Sequence, residues 1–164
     1  MIAELGHFAL MLALPLALVQ ATAPLYGAAR RRAGLMALAD NTAIAQFVLI
    51  ALAFAALVHA YVTSDFSVLN VAENSHSTKP LLYKISGVWG NHEGSMLLWV
   101  LILTLCGAAV ARFGDNLPPG LKARVLAVQA MIAAGFFLFI LFTSDPFRRL
   151  IPAPLDGHGL NPIL

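Results

Sequence analysis

The chain has 164 residues, 60% hydrophobic and only 11% charged, with a formal net charge of +2 and a mean hydropathy of +0.82. Soluble domains carry about 25% charged residues, so this composition excludes an ordinary water-soluble fold and defines an integral membrane protein. The longest basic run, Arg30-Arg31-Arg32, is too small a patch to support nucleic-acid binding.

Four apolar runs are long enough to cross about 30 Å of hydrocarbon. They are Leu5–Gly27, Ala43–Thr63, Ser95–Ala111 and Val125–Phe142. In the first, Pro15 should kink the helix. Ala21-Thr22-Ala23 resembles a signal-peptide cleavage site, but Glu4 precedes the apolar run and no Lys or Arg does, so a retained span is expected. The fourth is the strongest, with eleven Leu, Ile, Val or Phe residues. Cys106, the single cysteine, lies within the third run and reads as a small buried hydrophobe. With no Cys-x-x-Cys-His, the chain is not itself a c-type cytochrome.

Charge sets the expected orientation. Loops 28–42 and 112–124 hold Arg30, Arg31, Arg32, Arg112, Lys122 and Arg124, six of the ten Lys and Arg residues. The positive-inside rule places these loops inside and both termini outside. The outer parts are then a loop 64–94 and a tail 143–164, and the whole of 1–164 is one membrane domain. The expected fold is all-α, with four transmembrane helices in two hairpins. A short interfacial helix should precede the third span. Leu81, Leu82, Ile85, Val88 and Trp89 follow a helical period, so 81–89 is expected to lie on the outer membrane surface. The tail, with Pro146, Pro152, Pro154 and Pro162, cannot be regular helix.

The stretch Trp89-Gly90-Asn91-His92-Glu93-Gly94-Ser95 carries the most information. It runs a glycine-broken polar turn into the third span, which is expected to begin within Gly94-Ser95. Asn91 can cap that helix, and Glu93 in its first turn suits the helix dipole. Glu73-Asn74 marks a second polar loop. His92-Glu93 lacks the second histidine of a zinc-protease motif, since Met96 stands there. All five histidines fall at the outer face: His7, His59, His76, His92 and His158. Imidazole is a usual haem or metal ligand. The candidates for cofactor contact are therefore His92 and His59, with Trp89 beside them; no metal set and no catalytic residue is assigned. Val62-Thr63-Ser64-Asp65-Phe66 is echoed by Phe142-Thr143-Ser144-Asp145-Pro146-Phe147, which suggests a degenerate duplication of the hairpin.

Several of these stretches, in order, resemble the cytochrome c haem lyase family of bacterial membrane proteins (CcmF/NrfE type). They are Glu4-Leu5-Gly6, Tyr26-Gly27-Ala28-Ala29-Arg30, Val71-Ala72-Glu73-Asn74-Ser75, Trp89 to Ser95, Phe139 to Phe147, and Gly159-Leu160-Asn161-Pro162. The resemblance covers the N-terminal part of the family. It implies haem as cofactor, and the lipid bilayer, a haem carrier, other cytochrome c maturation membrane proteins and apocytochrome c as partners. It also implies a bacterial inner (plasma) membrane location with a periplasmic N-terminus. The family's tryptophan-rich haem-binding segment and haem-ligating histidines lie beyond Leu164, so ligation is not carried onto His92 or His59. The expected role is to support haem delivery and attachment to apocytochrome c, without catalysis by this chain alone. The alternative is a four-span structural assembly or transporter-like domain with no haem contact.

Overall fold

Four long helices, each rich enough in apolar residues to cross a membrane, build the molecule, and two short ones sit over one end. The computed structural model describes residues 1–159. The helices are α1 (Ile2–Ala29), α2 (Ala33–Val62), α3 (Leu69–Asn74), α4 (Leu81–Gly87), α5 (His92–Phe113) and α6 (Pro119–Phe142). At about 1.5 Å per residue the long helices run roughly 33 to 45 Å, which exceeds the hydrocarbon thickness of about 30 Å. Helices α1 and α2 form one hairpin and α5 and α6 the other; α1 also packs on α6, and α2 on α5.

The packing is inverted relative to a water-soluble bundle. The buried positions of α1 include Ala9, Ala13, Ala17 and Ala21, spaced four apart, and α6 buries Ala123, Ala127, Ala130 and Ala134. Large side chains such as Leu5, Phe8, Trp99, Met131 and Phe142 face outward. Between helices in lipid, small residues let backbones approach, and large apolar ones lose nothing by facing acyl chains. Cys106 is exposed on this outer face, not buried. The interior position on that turn goes to Gly107, where a Cβ would run into the Gln129 side chain.

Helix ends differ from the apolar runs for identifiable reasons. Residues 28–42 are not a loop: the chain turns within Arg30–Arg32 and α2 starts at Ala33. Asp40 and Asn41 break the apolar run ahead of Ala43, whereas the helix itself runs through them to Ala33, with Asp40 held by Lys122 at 3.2 Å. Helix α1 runs through Pro15 and Pro24 as a single element. Helix α5 starts at His92, ahead of Gly94-Ser95. Helix α4 ends at Gly87, two positions short of the span expected from the apolar period, and has no buried residue. Helix α3 has no periodic signal in the sequence. It is shorter than two turns and is held by burial of Val71 and Ala72.

Two buried glutamines stitch the hairpins together. Gln46 donates to Gln20 Oε1 at 2.7 Å, and Gln20 donates to the Leu126 carbonyl at 3.0 Å. Each polar side chain thus has a protein partner, as burial in an apolar medium demands.

Candidate functional site

One end of the bundle carries the ends of α2 and α6, the starts of α1 and α5, and both short helices. Its centre is Asn91. As N-cap of α5, Asn91 Oδ1 accepts from Gly94 N–H at 2.8 Å. Its amide group donates to Tyr61 Oη at 2.9 Å and to the carbonyls of Gly87 and Val88 at 3.0 and 3.2 Å. One side chain therefore ends α4, starts α5 and anchors on α2. Gly94 is required here, because a Cβ at that position would run into the Val88 carbonyl.

Asn70 of α3 completes the network. Tyr61, fully buried in the last turn of α2, donates to Asn70 Oδ1 at 2.5 Å. Asn70 Nδ2 donates to Asn91 Oδ1 at 2.8 Å and to Glu93 Oε2 at 3.2 Å. Asn74 donates to the Asn70 carbonyl at 2.9 Å, and Lys79 to the Asn74 carbonyl at 3.0 Å. The two polar motifs, Glu73-Asn74 and Trp89 to Ser95, are thus joined through Asn70, which carried no signal in the sequence. Tyr61 did carry one: an aromatic ring with a polar tip near the end of an apolar span.

Beside this network lies an open groove of about 920 Å³, walled by Glu73, Asn74, Lys79, Tyr83, Gly90 and His158 among others. Neither His92, His59 nor Trp89 lines it. His92 is exposed at the start of α5, where Nε2 lies 3.1 Å from Ser144 Oγ and the ring meets Phe139 edge-on at 6.0 Å. His59 is exposed on α2, and Trp89 is partly exposed beyond α4. His7 Nδ1 lies 3.2 Å from Asp145 Oδ1, and His76 pairs with Asp156 at 3.5 Å. His7, His76 and His92 are each engaged with a different partner. Among the described residues no three His, Cys, Asp or Glu side chains form a set able to hold a metal.

The tail straps this end. The echo between the two hairpins has a physical counterpart. Asp65 Oδ1 accepts from Ser67 N–H at 3.3 Å, and Asp145 Oδ1 from Phe147 N–H at 2.9 Å, so both segments form the same aspartate turn. Phe66 and Phe147 are both buried, and the two segments then pair through one antiparallel bridge, Val68 with Arg149. Arg149 reaches Asp65 at 3.2 Å and Glu4 at 2.9 Å. Burial disfavours the Asp65 carboxylate, but hydrogen bonds from Ser67 and Arg149 outweigh it and hold the group below its usual range. Further on, Asp156 receives the Ser77 hydroxyl at 2.6 Å and the backbone N–H groups of Ser77 and Gly157 at 3.0 and 2.8 Å. The Ser77 hydroxyl is the main cause that pulls Asp156 down to about 2. His158 N–H bonds to the Ala72 carbonyl at 2.7 Å, closing the strap over α3. The resembling segment Gly159 to Pro162 lies outside the described residues after Gly159.

Fold and site together define a polytopic helical membrane protein with a capped turn clamped between its two hairpins. Comparison with known proteins specifies which kind. The family model described as cytochrome C assembly protein matches residues 89–164. Over 164 residues the chain is 63% identical to the cytochrome c-type biogenesis protein ccl1 of Rhodobacter capsulatus, covering all of this chain and 25% of that protein. It is 46% identical to CcmF of Escherichia coli, covering all of this chain and 26% of that one. The solved structure of the cytochrome c haem lyase CcmF matches at a TM-score of 0.84 and 30% identity, over 90% of this chain and 25% of that chain. In sequence and fold the chain is similar to cytochrome c-type biogenesis proteins of the CcmF and NrfE kind, and it spans about a quarter of the length of the relatives it matches.

Proposed function

We propose that this chain is the N-terminal membrane part of a cytochrome c haem lyase. It supports haem delivery and attachment to apocytochrome c on the periplasmic side of the bacterial inner membrane. A haem carrier and other cytochrome c maturation membrane proteins are its partners in this reading. The observation that carries it is the identity over the full chain to cytochrome c-type biogenesis proteins, together with the clamp that fixes the signature turn.

The chain's own contribution is positional. Asn91, Tyr61 and Asn70 hold α3, α4 and the start of α5 in one arrangement, and the strap fixes the tail that follows α6. The histidines present do not fit a haem-ligating pair, because each that hydrogen-bonds is engaged with a different partner. No haem ligand is therefore assigned to this chain. What it offers to haem chemistry is a rigid floor and an open groove beside it.

The test uses a full-length relative carrying Asn91→Ala or Asn70→Ala at the matching positions. Haem-stained cytochrome c is measured against the amount of lyase in the membrane. Maturation should drop at least tenfold while the lyase still accumulates. Normal cytochrome c levels in both variants would sink the reading that this turn serves haem attachment.

A further inference from the structure

The opposite end of the bundle holds a second built feature, the α1–α2 turn. Arg30 N–H bonds to the Tyr26 carbonyl at 3.0 Å and Arg32 N–H to the Gly27 carbonyl at 2.9 Å. Arg31 sits at φ 54°, a left-handed conformation that favours glycine. Gly27 lets α2 approach so closely that a Cβ there would lie 2.6 Å from Leu35 Cβ. The turn is thus tight, and it presents three consecutive arginines to solvent. The guanidinium carbons of Arg30 and Arg32 both stand 5.7 Å from the Tyr26 ring centroid. From the other hairpin, exposed Arg112 and Arg124 add to the same end.

Among the described residues no free carboxylate balances this charge. The two carboxylates at this end, Asp40 and Asp115, are both taken by Lys122, at 3.2 and 3.4 Å. Among the described residues Arg30, Arg31, Arg32, Arg112 and Arg124 have no carboxylate partner. Two guanidinium groups beside one aromatic ring carry like charge, and an anion held by both offsets it. The planar fork of Arg matches a phosphate better than the point charge of Lys does. Tyr and Arg at the end of a span stand at headgroup depth.

We propose that Tyr26, Arg30, Arg31 and Arg32 form a binding site for the phosphodiester headgroup of an anionic phospholipid of the surrounding bilayer. Topology alone would ask only for positive charge, and Lys would serve as well as Arg. The site asks for more: guanidinium groups, held on a ring, on a turn of fixed shape.

The test is retention of phosphatidylglycerol over phosphatidylcholine by the purified full chain after passage through mixed vesicles, read by mass spectrometry of the intact complexes. The wild type should retain phosphatidylglycerol at least fivefold over phosphatidylcholine. Arg30→Ala with Arg32→Ala should abolish the preference, and Arg30→Lys with Arg32→Lys should lose most of it. Arg31→Gly, which relieves the backbone, guards against misfolding as the explanation: it should fold at least as well and still bind less. Arg149→Ala at the other end should leave retention unchanged. The proposal is overturned by equal retention of both lipids, by a Lys pair that binds as well as the Arg pair, or by inorganic phosphate at millimolar concentration displacing the lipid.

Discussion

Asn91 concentrates three tasks in one amide, so its loss should be felt at several points at once. Removing an N-cap costs about 0.5–2 kcal/mol, and leaving a buried polar partner unsatisfied costs about 1–3 kcal/mol. Asn91→Ala should therefore destabilise the bundle by about 2–4 kcal/mol, against about 1–2 kcal/mol for Tyr61→Phe, which removes the hydroxyl that joins α2 to Asn70 and Asn91 but leaves the cap in place. Unfolding of the purified chain in mixed micelles by titrated denaturing detergent measures both. Equal loss in the two variants would mean that the cap matters little and the Tyr61 contact carries the network. The cap was legible because Asn91 precedes an apolar run with Glu93 in its first turn. Asn70 was not, because its partners lie 21 and 23 residues away and only the folded bundle brings them to it.

At the scale of elements, composition located every long helix but not its ends. Ala33 to Asn41 is helical although Asp40 and Asn41 interrupt the apolar pattern, and Asp40 is met by Lys122 of α6. Helix α3 is too short for a periodic signal and exists because the strap and α2 bury it. Residues 143–159 of the proline-rich tail are non-helical, as its prolines predict, yet nothing in the sequence announces that they fold back onto residues 65–77. That contact has a pH dependence with a definite sign. Asp156 titrates lower in the strap than its ordinary 3.8, at about 2. Docking is thus favoured while the carboxylate is charged and weakens as pH falls from about 4 toward 2. A spin label at Leu155→Cys, in a Cys106→Ala background, should sharpen its spectrum over that window. In Asp156→Asn it should already be mobile at pH 7.

On the scale of the molecule, four apolar helices with alanine seams make a bundle that belongs in lipid, and five of the seven arginines gather at one end. If the signature end is periplasmic, a cysteine at Leu155 in the Cys106→Ala background should react with a membrane-impermeant maleimide on spheroplasts. A cysteine at Arg31 should react only after lysis. The reverse pattern would turn the topology over and move the proposed haem-facing surface to the cytoplasm.

Glu4 and His7 of the first helix meet Arg149 and Asp145 of the strap, and α1 packs along α6. The order of synthesis therefore matters. The first hairpin can close as soon as α2 leaves the translocon, but one flank of α1 stays unmatched until α6 and the strap are made. A chain halted before Asp145 would display a raw alanine flank in the bilayer and, at its edge, Glu4 without Arg149 and His7 without Asp145. Membrane proteases can read both as marks of an unfinished protein.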